Sequence, residues 1–255
     1  MAAGRRAVAL VACVVLTCVA LVAVGVPLGW WSAAWDALHA GGQASAGIVS
    51  PADGDGDGVD DYADLVAGAR ADAQARPVYD GGYYEGGYPP EGRGACTDLV
   101  WRAFAHAGYD LKAMVDADVR ARPERYPAIE TPDPNIDFRR VSTLEAFLSA
   151  HAQSLTTSLD DADAWQPGDI VTFGTGAHIG ICSDVRDARG LPLLLHNSGQ
   201  ARREEDYLGR PFSLAVSGHF RFDASQVGPD VIRSWRGVSG DRHFDTSRCV
   251  KVPVP

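Results

Sequence analysis

Three residues carry side chains that together could form a nucleophilic catalytic triad. Cys96 precedes residues 97–107, whose apolar side chains recur at helical spacing, so the thiol lies at or just before a helix N-terminus. There the helix dipole and the unpaired amides favour the nucleophilic thiolate. His178 begins an apolar strand as a candidate general base, and His196 ends the next strand, where it could orient the base. This pattern is consistent with a Cys-His-His catalytic triad, and a buried cysteine with structural histidines is the ordinary alternative for each residue alone.

Two further residues are assigned to the edge of this site. Asn197 competes with His196 for the orienting role and could contact the oxyanion, but neighbours along a strand point to opposite faces. Asp98 lies on the helix that begins at Cys96, and we predict that it forms part of the cleft wall, through a salt bridge to Arg140 or as part of a structural turn. The backbone amide of Cys96 itself is expected to help hold the oxyanion.

A second cluster suits metal binding rather than catalysis. Residues 53–64, DGDGDGVDDYAD, match the spacing of an EF-hand-type calcium loop, with a glycine at the sharp turn. The twelfth position carries an aspartate, whose arm is shorter than that of the usual glutamate. The predicted ligands are Asp53, Asp55, Asp57, the carbonyl of Val59, Asp61 and Asp64. We predict a structural Ca²⁺, with a solvated acidic linker as the alternative, and no cofactor for catalysis.

The elements that must position these residues are predicted helices in the first part of the domain and predicted strands in the second part. Helical spacing predicts helices after Cys96, over residues 111–121 and from Ser142 onward. Short apolar runs separated by turn residues follow at 170–174, 177–185, 191–199 and 217–223, and they predict antiparallel strands. Helices first and a small sheet second indicate an α+β fold.

The N-terminus is typical of an exported chain. Arg5 and Arg6 precede an uncharged apolar run over residues 7–28, which is long enough to span a bilayer. An uncleaved anchor is favoured, with the rest of the chain outside the cell, and cleavage near residues 44–46 would instead release a secreted protein. The predicted organisation is an anchor (1–31), a linker (32–52), the acidic loop (53–64), the hydrolase domain (65–222) and a C-terminal extension (223–255).

Composition limits the other function classes. The 255 residues carry a net charge of −10, which excludes a basic surface for nucleic acid. Two of the five cysteines lie in the apolar run, so an odd number remains outside it and at least one thiol stays free unless it pairs between chains. Cys182 is expected to be a core residue, with a disulfide to Cys249 as the alternative.

Several segments also carry a resemblance. GACTDLVWRAF, PNIDFRRV, QPGDIVTF, HIGICSD, LHNSGQ and GHFRF, together with the acidic run, resemble in order and spacing an uncharacterised bacterial family in the NlpC-type clan of papain-like cysteine peptidases. This resemblance implies a papain-like fold with Cys96 as nucleophile, His178 as base and His196 as orienting residue. It also implies hydrolysis of amide bonds in cell-wall peptides.

Three alternatives to that activity stay open at this point. An acyltransferase of the same clan would pass the acyl group to an acceptor other than water. A zinc-dependent hydrolase would use Cys96, His178 and His196 as ligands, although their spacing lacks the close ligand pair usual for zinc. A wall-binding domain would keep the fold with an inert site.

Overall fold

The computed structural model describes residues 43–44, 47–210 and 213–237, in which four α-helices form. They are α1 (Asp61–Ala75), α2 (Cys96–His106), α3 (Leu111–Ala121) and α4 (Val141–His151). The helices predicted after Cys96 and over 111–121 are confirmed, and the one expected from Ser142 begins one residue earlier. None of the helices within the described ranges is long and apolar enough to cross a membrane, and the predicted anchor lies outside those ranges.

Local signals explain where the helices begin and end. The side chain of Asp60 caps α1 by accepting from the amide of Tyr62, and Asp110 caps α3 through the amide of Ala113. Gly108 ends α2 in the left-handed region at φ 87°, where a residue with a Cβ would be strained.

One antiparallel sheet is built mainly from strands that follow the helices, and its first strand precedes them. Its strands are β1 (Gln43–Ala44), β4 (Gln153–Ser154), β5 (Ile170–Phe173), β6 (His178–Arg186), β7 (Pro192–Leu195), β8 (Glu204–Glu205) and β9 (Val216–Arg221). They are ordered β4-β9-β5-β6-β7-β8, with β1 also paired to β6. A separate parallel pair, β2 (Val78–Tyr79) and β3 (Arg93–Gly94), leads directly into α2. The predicted α+β class with a small antiparallel sheet is therefore confirmed.

The two faces of the sheet bury different clusters, because alternate residues of a strand point to opposite sides. Ile179 and Ile181 of β6 pack with the helices, as does Leu195 of β7. On the opposite face, Cys182 and Leu194 pack around Trp165. Cys182 is a free, fully buried thiol, as expected for a core residue, whereas Cys249 lies outside the described residues.

The folded domain continues past the predicted boundary at residue 222. Val227 and Val231 are buried in the helical core, and the amide of Trp235 donates to the carbonyl of Gly108. Residues 223–237, the described part of the predicted extension, therefore pack on the domain. At the other end, Gln43–Ala44, within the predicted linker, pair with the end of β6.

Candidate active site

The candidate nucleophile, Cys96, is the first residue of α2. Its position is set by Asp98, whose carboxylate accepts a 2.6 Å hydrogen bond from the amide of Ala95 at the helix cap. Helix α2 packs on β6, and Cys96 and Ile179 belong to the same buried cluster. Ile179 is the residue that follows His178 in β6.

The surroundings of the sulfur keep it protonated in this state. Burial raises the pKa of the Cys96 thiol to about 11, and the charge of Asp98 adds to the effect. The amides of Ile179 and Thr97 act in the opposite direction, as does the amide of Cys96 itself, because they donate toward the sulfur. The backbone amides around the start of α2 therefore favour a negative charge on the sulfur, against the effect of burial.

The two candidate histidines are in direct contact. Nε2 of His178 lies 2.8 Å from Nδ1 of His196, with the ring planes nearly perpendicular. Strands β6 and β7 are antiparallel neighbours, and His196 directly follows β7. The structure therefore brings together the pair that the sequence proposed as base and orienting residue.

A carboxylate that the sequence analysis missed extends this contact. Oε1 of Glu205 lies 3.0 Å from Nε2 of His196, and Oε2 accepts from Arg210 at 2.9 Å. Burial opposes ionisation of Glu205, but the hydrogen bond from His196 and the charge of Arg210 hold the pKa of its carboxyl below the usual value. An ionised Glu205 only accepts hydrogen bonds, so His196 carries its proton on Nε2 and accepts from His178 through Nδ1. Nδ1 of His178 is then left unprotonated.

Burial and ring contacts shape the environment of His178. Burial lowers the pKa of His178 to about 3, proximity to the titratable His196 adds to the shift, and Glu205 opposes it. Tyr207 lies over both imidazoles, with ring centroids 5.6 Å from His178 and 4.7 Å from His196. The candidate base is therefore neutral and shielded from water.

Asp98 pairs with Arg139 rather than with Arg140. The guanidinium of Arg139 donates to both carboxylate oxygens of Asp98 at 2.8 Å, and both side chains are buried. Arg140 instead lies 3.8 Å from Asp137 and is half exposed. The predicted Asp98–Arg140 bridge is thus wrong, because the turn over residues 137–139 directs Arg139 inward. Arg139 also donates to the carbonyls of Asp80 and Gly82.

Asn197 positions the segment that carries the thiol. Its side-chain amide donates to the carbonyl of Gly94 at 2.8 Å, and its carbonyl oxygen accepts from Gly199. Asn197 is fully buried. It ties the end of β7 to the residues before Cys96, whereas His196 holds the contact with His178.

The region that contains the candidate active site matches one known protein family. Residues 66–222 match the family described as "Domain of unknown function (DUF1287)". The chain belongs to this DUF1287 family. It is similar to the uncharacterized protein YijF of Escherichia coli (strain K12), with 38% identity over 168 residues, 62% of this chain and 80% of that protein. No solved structure matches the chain.

The DUF1287 region contains the whole candidate active site but leaves out the acidic loop. Cys96, Asp98, His178, the segment 196–197 and Glu205 all fall within residues 66–222. The loop over residues 53–64 precedes the matched region. The two clusters are therefore separate features of the chain.

The acidic loop gathers only part of its predicted ligands. Carboxylate oxygens of Asp53, Asp55 and Asp57 lie within 4.8 Å of one another. Asp61 is engaged elsewhere, accepting from the amide of Gly54 and the hydroxyl of Tyr109, both at 2.8 Å. In the described ranges, no other histidine, cysteine or acidic side chains converge closely enough to hold a metal, and Cys96, His178 and His196 do not form such a group.

Another buried histidine, His219 of β9, belongs to a structural cluster. Its nitrogens lie 2.9 Å from the carboxylate of Asp169 and 2.8 Å from the carbonyl of Thr156. Trp165 stacks on the imidazole with centroids 3.9 Å apart. These contacts account for a buried histidine without a catalytic role.

Proposed function

We propose that this DUF1287 protein is an exported, membrane-anchored cysteine hydrolase that cleaves amide bonds of cell-wall peptides, with a papain-like fold of the NlpC type. One observation carries the proposal: Cys96 begins the helix that packs on β6, and His178, the first residue of β6, begins a hydrogen-bonded line through His196 to Glu205. The motifs around Cys96 and His178, and the order of helices and strands, support the clan. The cell-wall substrate rests on that resemblance.

In the proposed mechanism, the sulfur of Cys96 attacks the scissile carbonyl carbon while its proton passes to Nδ1 of His178. The carbon–sulfur bond forms and the oxyanion is held by the amides of the helix start. As the carbon–nitrogen bond breaks, His178 returns the proton to the leaving amine. Water then cleaves the thioester, which releases the acid and restores the thiol.

Glu205 has a defined part in this cycle. When His178 is transiently protonated, it donates from Nε2 to His196, which in turn donates to Glu205. The carboxylate therefore stabilises the imidazolium through His196 and holds both rings in the required tautomers. Because the resting thiol and imidazole are both neutral, proton transfer accompanies attack and does not precede it.

The proposed location rests on the N-terminal sequence. Residues 7–28 are uncharged and follow Arg5 and Arg6, so we propose a single span with the hydrolase domain outside the cell. Protease added to intact cells should then remove the domain, and it should not do so if the domain lies inside.

The activity is tested on purified cell-wall peptides in H₂¹⁸O, with the full-length chain in mild detergent. A hydrolase produces fragments whose new carboxyl carries ¹⁸O, and mass spectrometry of the fragments names the bond. Joined peptides without ¹⁸O would instead assign an acyltransferase. Absence of any product from the folded, reduced protein would overturn the cell-wall substrate.

A further inference from the structure

The charged segment over residues 137–140 contains a buried arginine that the proposed mechanism does not use. The side chain of Arg139 is 1% exposed, and that of its partner Asp98 is 0% exposed. Nε and Nη2 of Arg139 each donate to one carboxylate oxygen of Asp98 at 2.8 Å. An ion pair buried this deeply is tolerated only when further hydrogen bonds satisfy both groups. The partners in those further bonds indicate what the pair does.

Through Asp98, Arg139 acts on the residue before the candidate nucleophile. The carboxylate of Asp98 also accepts from the amide of Ala95 at 2.6 Å and from the indole of Trp101 at 2.8 Å. Ala95 is the N-cap of α2, and Cys96 is the first residue of that helix. The ion pair therefore fixes the backbone on the N-terminal side of Cys96.

A second contact fixes the other side of Cys96. The hydroxyl of Thr97, the next residue of α2, donates to the main-chain carbonyl of Arg139 at 3.1 Å. Because Thr97 is 1% exposed, water has little access to this hydrogen bond. Arg139 thus holds the helix start by its side chain on one side of Cys96 and by its backbone on the other.

The guanidinium of Arg139 also holds a separate segment beside the helix start. Nη1 donates to the carbonyl of Gly82, and Nη2 donates to that of Asp80. This segment follows β2, and the amide of Asp80 donates at 3.1 Å to the carbonyl of Gly94 in β3, the strand that leads into α2. An arginine can reach the carboxylate and both carbonyls at once because its donors form a planar fork, whereas a lysine donates from a single nitrogen.

We propose that Arg139 is a positioning residue for Cys96, which holds the start of α2 and the segment 80–82 in the one arrangement that presents the thiol for attack. It acts through Ala95 and Thr97, the two neighbours of Cys96 in the chain. The role of Cys96 as nucleophile rests on the proposed function, whereas the order of the helix start does not depend on it.

The burial of Cys96 makes this role measurable. Because Cys96 is 4% exposed, a reagent reaches its thiol only when the surrounding backbone opens locally. Arg139→Lys keeps the positive charge but loses contacts of the fork, so local opening should become more frequent. The fraction of molecules with a correctly oriented thiol should fall at the same time, which slows the reaction.

The test measures iodoacetamide alkylation of Cys96 and Cys182 in the same sample of the full-length chain in mild detergent, followed by peptide mapping. Cys182 is fully buried in the sheet core, so its alkylation reports opening of the whole domain. Arg221→Lys is the matched control, because Arg221 also donates to both oxygens of a buried aspartate, Asp169. That pair belongs to the structural cluster around His219.

In Arg139→Lys, the alkylation rate of Cys96 relative to that of Cys182 should rise about tenfold or more, and kcat for a cell-wall peptide should fall by a similar factor. Thr97→Val removes the second contact and keeps the shape of the side chain, so the same ratio should rise at least about twofold. Arg221→Lys should leave the ratio and kcat within about twofold of the wild type, even where its Tm falls.

An unchanged ratio in folded Arg139→Lys, or an equal rise in Arg221→Lys, would overturn the proposal. If Arg139→Lys does not fold, an unchanged ratio in Thr97→Val would overturn it. Alkylation needs no substrate, so the expected ratios in a chain without any hydrolytic activity would support the role of Arg139 and count against the proposed function.

Discussion

His196 lies between His178 and Glu205, with its Nδ1 2.8 Å from the first side chain and its Nε2 3.0 Å from the second. Because a carboxylate can only accept, Glu205 determines which nitrogen of each imidazole carries the proton. The result is an unprotonated Nδ1 on His178, which is the state a general base requires.

Glu205→Gln should therefore reduce kcat about 10- to 100-fold with little change in KM, because the imidazolium loses its countercharge. Glu204→Gln is the matched control. Glu204 is the adjacent residue, but it bonds Arg70 and Ser183 instead of His196. Steady-state hydrolysis of a cell-wall peptide measures both variants, and equal kcat losses would refute the assigned role of Glu205.

The pH dependence of thiol alkylation tests the resting state of the site. Burial raises the pKa of Cys96 to about 11 and lowers that of His178 to about 3, so both groups are neutral between these values. The thiolate fraction then rises about tenfold per pH unit below the pKa of the thiol. Alkylation of Cys96 by iodoacetamide should increase with that slope from about pH 7 to 9.5, without a plateau.

Peptide mapping by mass spectrometry must follow the Cys96 peptide alone, because the chain has other cysteines. A rate that is already constant below about pH 7 would mean a preformed thiolate–imidazolium pair, contrary to a neutral resting site.

The buried ion pair between Asp98 and Arg139 should contribute more to stability than the exposed charge of Arg140. Arg139→Gln leaves Asp98 buried without its cation and should lower the free energy of unfolding by about 3–5 kcal/mol. Arg140→Gln is the matched control, and it should cost no more than about 0.5 kcal/mol because Arg140 is half exposed. Urea unfolding followed by tryptophan fluorescence compares the two, and losses of similar size would contradict the assignment of the buried partner.

Periodicity allowed much of the fold to be predicted. Helix α2 has apolar residues at helical spacing, and Gly108 follows its end. In β6, Ile179 and Ile181 face the helices, and the residues that alternate with them face the other side of the sheet. The C-terminal residues 223–237 have no such pattern. Val227 and Val231 are buried only because the chain returns to the helical core, a long-range contact that local spacing does not encode.

The contact between His178 and His196 was predictable because the two residues lie at the ends of neighbouring antiparallel strands. Glu205 was missed because β8 has only two residues, too few to show alternation. The choice between Arg139 and Arg140 depended on a short 3₁₀ turn, and neighbouring residues on such a turn point in different directions. The convergence of Asp53, Asp55 and Asp57 was predictable because their spacing is local, whereas the contact of this loop with Tyr109 was not.

The most direct test of the central claim compares two buried cysteines. Cys96→Ala and Cys182→Ala remove the same group from two free thiols, one at the start of α2 and one in the sheet core. Cleavage of purified cell-wall peptides is measured by mass spectrometry, with folding checked by circular dichroism. We predict that cleavage is lost in Cys96→Ala and retained in Cys182→Ala. Fragments released by folded Cys96→Ala at the wild-type rate would contradict the assignment of Cys96 as the nucleophile.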